Sequence, residues 1–325
     1  MADHIGVVGT GVLGMRVARE LCDRIEVESV PLLSGTPDRR FEIHSALGPK
    51  IHNEPSDPVD VVVLCTPGSH QVEQATRWLE AGKHVVSTAL DGRSVTELLA
   101  LDAVARRVER RLVVGAAMSP GLSTVLAHHA AALFESVISV HVGAVGSSGP
   151  ACVEDLEACL ATDGLDRRGS LWESAQARSG RELLWFAEPV GVAECQRGDF
   201  GDAHLIDRVV AGTRELTVRG SLDALERPRR LRWQRRESRD EKLGGLRVEV
   251  TGFGVNGSST VVYGIIDRRS VASAAFAALA ASLVGRSDAA AAPGAGGLSE
   301  WVEPRVVLAA LAERGVKCAV FEAAG

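Results

Sequence analysis

Three glycines set between an apolar run and an amphipathic run constrain this chain more than any other feature. Ile5-Gly6-Val7-Val8 reads as a β-strand, Gly9-Thr10-Gly11-Val12-Leu13-Gly14 as a Gly-x-Gly-x-x-Gly turn, and the residues beyond as a helix. Leu13, Val17, Leu21 and Ile25 recur every fourth position, with Arg16, Arg19, Glu20 and Asp23 between them. Gly9 permits the tight turn, Gly11 lets the backbone approach a diphosphate, and Gly14 lets helix and strand pack closely. Free N–H groups and the positive dipole end of the helix then meet the anion. Gly-rich turns are common, so the flanking strand and helix give the motif its weight. The competing reading is a tight βα turn that holds no dinucleotide.

The next segment bears on the cofactor. Residues 26–33 predict a second strand, in which Pro31 implies an exposed edge or a bend. In a dinucleotide domain an Asp or Glu about 20 residues beyond the glycines takes the ribose 2′-hydroxyl of NAD. Here the strand ends at Ser34, and Arg39 and Arg40 come after it. A hydroxyl with guanidinium groups suits the 2′-phosphate of NADP, because arginine pairs bidentately with phosphate. The expectation is NADP, with NAD possible. Asp38 argues the other way, and a solvated loop is the plain alternative for Arg39 and Arg40.

Strand and helix then alternate. Residues 59–65 form an apolar run around one acid, Asp60, as in a parallel strand covered on both faces. The run ends in Thr66-Pro67-Gly68-Ser69-His70, a turn at the carboxyl edge of the sheet. Ligands bind at that edge, so Thr66, Pro67, Gly68 and His70 are assigned to the cofactor. A helix through Val72, Ala75, Leu79 and Ala81 stops at Gly82, followed by a strand over 84–88, a helix around 98–108 and a strand over 112–115. This alternation predicts an α/β fold, a doubly wound (Rossmann) parallel sheet. Pro120-Gly121 forces a turn, and residues 122–133 read as a helix.

Beyond Glu135 the texture changes. Residues 137–145 alternate like a strand with one face exposed, 146–150 form a loop, and 153–160 a helix. Strands over 183–187, 215–218, 246–252 and 260–266 predict an α+β second domain with a mostly antiparallel sheet. Residues 227–242 carry eight Lys or Arg against Glu237, Asp240 and Glu241, and read as an exposed face rather than an anion site. Residues 267–284 form an Ala-rich helix whose apolar run falls short of the ~20 residues that cross a bilayer. Residues 288–297 are low-complexity and read as a mobile loop. Pro304 opens a final helix that ends at Gly315, and 316–322 read as a last strand.

Charge and cysteine usage exclude several classes. With 36 Lys and Arg against 42 Asp and Glu, a nucleic-acid partner is not expected. The six cysteines form no C-x-x-C pair and read as scattered, reduced small hydrophobes, with Cys152 and Cys159 on one helix face. Met-Ala-Asp-His leads straight into the first strand, so no signal peptide and a cytoplasmic location are expected. His128 and His129 are adjacent on a helix and point apart, His141 lies in a strand, and His204 lies in an irregular stretch. Without H-E-x-x-H or a Cys/His cluster, no metal site is expected.

These features together resemble the meso-diaminopimelate dehydrogenase and saccharopine reductase-like superfamily of NADP-linked amino-acid dehydrogenases. The likeness is carried by the strand–glycine turn–helix start, Leu64-Cys65 closing the apolar strand, and the Ser/Arg region after the second strand. Ser119-Pro120-Gly121-Leu122, the loop over 143–150, and Val262-Tyr263-Gly264-Ile265-Ile266-Asp267-Arg268 before a small-residue helix extend it along the chain. The resemblance implies a homodimer formed through the second domain, with C-terminal helices packing back on the first. It implies a dinucleotide-binding domain over 1–121 and 267–325, and a substrate-binding and dimerisation domain over 122–266. One departure matters: where those proteins carry an acid before Pro-Gly, this chain has Ser119. A carboxylate pairs with an ammonium, whereas a hydroxyl only shares a hydrogen bond, so diaminopimelate itself is not expected.

The expected activity is NADP-dependent oxidation or reduction at a C–N bond of a small amine, amino acid or imine. The cofactor carries the hydride, and the protein must fix the substrate and move a proton. Asp91, after the strand ending at Thr88, is a candidate for orienting an ammonium, or is a turn residue in Asp91-Gly92. Ser119 is a candidate for hydrogen-bonding substrate, or merely starts the Pro-Gly turn. Ser147 and Ser148 lie in the loop that contacts substrate in the resembled proteins. Asn256 before Gly257 is a substrate amide or, more simply, a hairpin residue. A rival is a glucose–fructose oxidoreductase-like sugar dehydrogenase; those proteins carry Lys-Pro where this chain has Ala89-Leu90. A third reading is a dinucleotide-binding sensor without turnover.

Overall fold

The computed structural model describes residues 4–52, 58–169, 171–222, 243–255, 257–285 and 292–322. Its amino-terminal half runs β1 (Ile5–Val8), α1 (Val12–Cys22), β2 (Val30–Pro31), α2 (Pro37–Leu47), β3 (Ile51–His52), β4 (Val61–Leu64) and α3 (Gly68–Glu80). Then come β5 (His84–Ser87), α4 (Gly92–Leu99), α5 (Asp102–Arg107) and β6 (Arg111–Val113). Strands β1, β4, β5 and β6 pair in that order, all parallel. On the other edge of β1, His4 bridges Ser29 and Val7 bridges Leu32, and β2 pairs parallel with β3. The doubly wound sheet is therefore present, with its strand order reversing between β1 and β4. Every residue of β4 is fully buried, as two helix layers require of a central strand. Truncating Leu64 to Ala would cost about 2–5 kcal/mol through the lost contacts and the cavity left behind.

Several local expectations need correction. Helix α1 ends at Cys22, so Ile25 lies beyond it and is 98% exposed rather than on the apolar stripe. Pro31 is not on an open edge: β2 lies between β1 and β3, and the missing N–H leaves only isolated bridges to β1. Arg39 and Arg40 are on the first turn of α2, not in a loop, because Thr36 caps that helix and Pro37 starts it. The helix expected around 98–108 is two helices, α4 and α5.

The chain leaves the first sheet through α6 (Leu122–Ala131) and continues as β7 (Ser136–Val145), α7 (Pro150–Ala161), β8 (Gly164–Arg168), β9 (Leu171–Ala175), β10 (Glu182–Trp185) and β11 (Val192–Cys195). It goes on through α8 (Asp202–Val209), β12 (Glu215–Ser221), β13 (Gly244–Gly254) and β14 (Gly257–Asp267). Helix α9 (Arg269–Val284), β15 (Gly294–Gly296), α10 (Pro304–Glu313) and β16 (Ala319–Glu322) complete it. The second sheet has the order β16-β14-β13-β7-β12-β8-β9, with β7–β12 parallel and the other pairs antiparallel. The expected exposed face of β7 is not found along its length, because Leu184 and Phe186 from the β10–β11 ribbon press on Gly143 and Gly245. His204 is on α8 rather than in irregular chain.

The C-terminal segment is shared between the sheets. Helix α9 packs on α1 and along β4 and β5, where its alanines allow close approach. Gly294–Gly296, expected in a loop, instead add β15 to β6 as a fifth parallel strand, Ala295 N–H donating to Asp102. Strand β16 pairs with β14 in the second sheet, not with the dinucleotide sheet. The basic stretch 227–242 and Asn256 lie outside the described residues. Among the described residues, no helix is long and apolar enough to cross a membrane, and no cluster of His, Cys, Asp and Glu could hold a metal.

Candidate active site

A cleft of about 430 Å³ follows the carboxyl edge of the parallel sheet. Its floor steps across the strands: Thr10, Gly11, Val12 and Leu13 after β1, Cys65, Thr66 and Pro67 after β4, Thr88 and Leu90 after β5, Ala117 and Ser119 after β6. Residues 148–152 and Asp155, at the start of α7, face it from the side of the second sheet, and Arg269 and Ser273 of α9 close one side.

The glycine turn has the geometry its sequence implies. Gly9 has φ +106°, and a Cβ there would stand 2.6 Å from the Cys65 carbonyl oxygen. A Cβ on Gly14 would collide with the Gly9 carbonyl oxygen, so strand and helix approach as closely as glycine allows. Gly11 is the opposite case, since a Cβ there meets nothing within 4 Å. That open side faces the cleft at the N-terminus of α1, which has no side-chain cap and no acid in its first turn. Bare N–H groups and an uncompensated dipole end are what a diphosphate requires.

Around this turn, Ser34 Oγ accepts from Gly9 N–H at 2.6 Å and so braces the loop from behind. Arg39 lines the cleft, its Nε donating to the Thr10 carbonyl at 3.1 Å and its Nη1 to Glu42 at 2.9 Å. Arg40, His70 and Ser147 are not among the lining residues, and His70 is exposed on the first turn of α3. Asp91 is also outside the lining. Its Oδ1 accepts from Ser94 N–H at 2.7 Å and caps α4, the turn role rather than the substrate role. The Gly68 N–H, at the start of α3, faces the Asp155 carboxylate and lowers its pKa.

The Ser119 turn is backed by a buried carboxylate. Asp202, fully buried at the start of α8, accepts from Ser119 Oγ at 2.9 Å on each oxygen and from Ser123 Oγ. Arg269, 3% exposed, donates from Nη2 to the Ser119 carbonyl at 2.7 Å. Burial pushes the Asp202 carboxyl up, while the two hydroxyls and the Arg269 charge pull it down. Ser119 thus spends its hydroxyl proton on Asp202, and the guanidinium of Arg269 is what the cleft presents beside it. Burial also pushes the Cys65 thiol up to about 12, which keeps it a neutral lining group.

Thr10, Gly11, Val12, Leu13, Arg39, Thr66, Pro67, Ser119 and Ser148 are thus brought together, while Gly9, Gly14 and Ser34 support the turn from behind. Asp155, Arg269 and Asp202 were not singled out from the sequence. For Asp202 a signal exists: Asp202, Leu205, Ile206 and Val209 fall on one face of a short helix. Arg269 is the charged residue that opens an otherwise small-residue helix.

No protein-family model matches the sequence, and no curated protein sequence matches it. Solved structures do. A saccharopine dehydrogenase (L-Glu forming) from Saccharomyces cerevisiae superposes with TM-score 0.74 at 11% identity, covering 99% of this chain and 100% of that one. DAP dehydrogenase of C. glutamicum, in complex with DAP, gives 0.54 at 15% identity over 94% of this chain and 96% of that one. An engineered D-amino acid dehydrogenase bound to NADP+ gives 0.50 at 16% identity over 94% and 96%. The chain has the two-sheet fold seen in these dehydrogenases.

Proposed function

We propose that this chain is an NADP-dependent oxidoreductase acting on a C–N bond of a small amine, amino acid or imine. The observation that carries the reading is the open side of Gly11 at the uncapped α1 terminus, facing a cleft that also holds Arg269 and Asp155. Residues of the glycine turn would hold the diphosphate, and Arg39 beside Thr10 would take the 2′-phosphate. Such a cofactor supplies or accepts the hydride. The protein's part is to orient substrate: Arg269 offers a buried cation for a carboxylate, in the low dielectric where such a contact is strongest. Folds shared with amino-acid dehydrogenases support the same reading. At the position where sugar dehydrogenases of similar fold carry Lys-Pro, the apolar Leu90 lines the cleft, which disfavours a polyol substrate.

A homodimer through the second domain belongs to this proposal. Leu171 and Trp172 of β9, with Leu183 and Trp185 of β10, are exposed apolar side chains of that domain. Sedimentation velocity tests it, and a monomer across micromolar concentrations would reject it. The activity is tested with a panel of amines, amino acids, imines, hydroxy acids and sugars, following reduced-nicotinamide absorbance. Turnover confined to sugars or hydroxy acids would reject the C–N assignment, and tighter binding of NADH than NADPH would reject the cofactor preference.

A further inference from the structure

We propose that Asp155 is the group that exchanges the substrate proton, standing in the cofactor cleft as its acid/base. The inference rests on the oxidoreductase reading above. Oxidising a protonated primary amine to its iminium removes one hydride from carbon and one proton from nitrogen, and the lone pair freed on nitrogen forms the C=N bond. The hydride leaves with the cofactor, and the proton needs an acceptor in the cleft. Among the described lining residues the side chains with formal charge are Arg39, Arg269 and Asp155, so Asp155 is the one carboxylate that faces the cleft. Neither arginine accepts a proton at working pH. Asp91 and Asp202 are committed elsewhere, the first capping α4 and the second taking two serine hydroxyls.

The placement of Asp155 is fixed from both domains. It follows Cys152 by three positions on α7, so both side chains face the same side of the helix and both line the cleft. Pro150 sets the start of that helix, and Gly149 approaches Val12 so closely that a Cβ would stand 2.8 Å from Val12 Cγ2. Helix α7 is thereby held over the glycine turn. From the opposite side, the Gly68 N–H at the start of α3 faces the carboxylate and lowers its pKa. A carboxyl group with an N–H facing it keeps acceptor capacity to spare, which leaves room for substrate nitrogen.

The surroundings also set its protonation. Desolvation raises the Asp155 carboxyl most, the Gly68 N–H lowers it, Asp91 and Glu154 raise it and His70 lowers it, which leaves it at about 6. A carboxyl poised there carries its proton in one half-reaction and gives it up in the other. In the proposed site its ionised form would stand near an oxidised nicotinamide, whose ring carries a positive charge. Asp155 therefore favours the oxidised cofactor as pH rises, an effect independent of which substrate is turned over.

The test is calorimetric titration of the purified protein with NADP+ and with NADPH between pH 5 and 8, for wild type and Asp155→Asn. The ratio of NADP+ to NADPH affinity is expected to rise about tenfold through pH 6 in wild type, the order expected for one screened charge pair, and to stay flat in D155N. With an accepted amine substrate, D155N is expected to lose about 10²–10⁴-fold in kcat and the limb of the pH profile near 6. A purely structural carboxylate would weaken both cofactors together and leave the pH limb in place, which would overturn the proposal. A ratio that is flat in both proteins, with both cofactors bound, would overturn the role of Asp155 and leave the oxidoreductase reading standing. A pH-dependent ratio with turnover of alcohols alone would keep Asp155 and reject the C–N assignment. No binding of either cofactor would remove both.

Discussion

Removing the carboxylate behind the Ser119 turn tests the account of how the site is held. In Asp202→Ala, Ser119 and Ser123 lose the acceptor of their hydroxyl protons, and Arg269 keeps its charge in a nearly fully buried position. Each hydroxyl left without a partner costs about 1–3 kcal/mol, and an orphaned buried charge costs about 3–5 kcal/mol. These do not simply add, because the two hydroxyls share one carboxylate and Arg269 feels its charge without bonding it, so the variant is expected to lose about 3–5 kcal/mol. Asp202→Asn keeps one carbonyl oxygen for the serines and should lose less, about 1–3 kcal/mol. Urea unfolding without cofactor measures both, and the double variant D202A/R269M identifies the cause. With both charges gone no charge is orphaned, so the double variant should be less destabilised than the sum of the two single ones. A D202A midpoint equal to wild type, or an additive double variant, would refute the reasoning.

Other expectations rest on single positions. Gly11→Ala adds a Cβ into empty space at φ −76°, so it should leave urea stability unchanged or raise it by about 0.4–1 kcal/mol while abolishing NADPH binding. Gly14→Ala drives a Cβ into the Gly9 carbonyl and should destabilise the fold itself, so equal stability of the two variants would count against the assigned glycine roles. Arg39→Ala should weaken NADPH by about 10–100-fold, the range of a lost charge-assisted contact, and leave NADH within about twofold; equal losses would move the 2′-phosphate elsewhere. His84, desolvated and near Arg110 and Arg111, is pushed down to about 4 and accepts from Arg111 N–H at 3.1 Å. The unfolded chain, with histidine near 6.5, binds more protons between those values, so His84 makes stability fall as pH drops from about 6.5 to about 4. Asp155 acts with the opposite sign, so the comparison is with His84→Gln, whose urea midpoint should fall less over that window.

Short-range physics decides which parts of this fold are legible in the sequence. The glycine turn, the apolar strand at Val61–Leu64 and the buried helix over Arg269–Val284 each announce themselves by local pattern, and each is where the pattern places it. Elements decided by partners far away in sequence were not legible. Gly294–Gly296 has the composition of a loop and becomes a strand because β6 offers an open edge and Asp102 accepts its N–H. Strand β2 shrinks to two residues because Pro31 cannot donate, a local fact, but its place beside β1 depends on β3. The charged groups of the site show the same division. Arg39 comes after the second strand at a recognisable spacing, whereas Asp155 and Arg269 enter the cleft from α7 and α9, which only the tertiary fold brings over the glycine turn.

That division bears on the one departure from the resembled dehydrogenases. A serine before Pro-Gly, taken alone, suggests that this chain has dropped the acid from its substrate site. The structure shows a carboxylate still present at that turn, supplied by Asp202 from another helix but screened from the cleft by the hydroxyl it binds. A screened carboxylate cannot take an ammonium proton directly, yet it still balances the charge of Arg269. The result is a cleft in which the Arg269 cation stands near Ser119 and Asp155 sits further along the edge, beside the Thr66–Gly68 turn. On the function proposed above, such a site would favour substrates whose carboxylate and nitrogen are separated along the sheet edge. Exchanging the two roles, with Ser119→Asp in a D155N background, should restore a pH limb only if the position of the acid, and not its number, governs turnover. Full activity of Ser119→Asp alone with unchanged specificity would show that the screening has no functional weight.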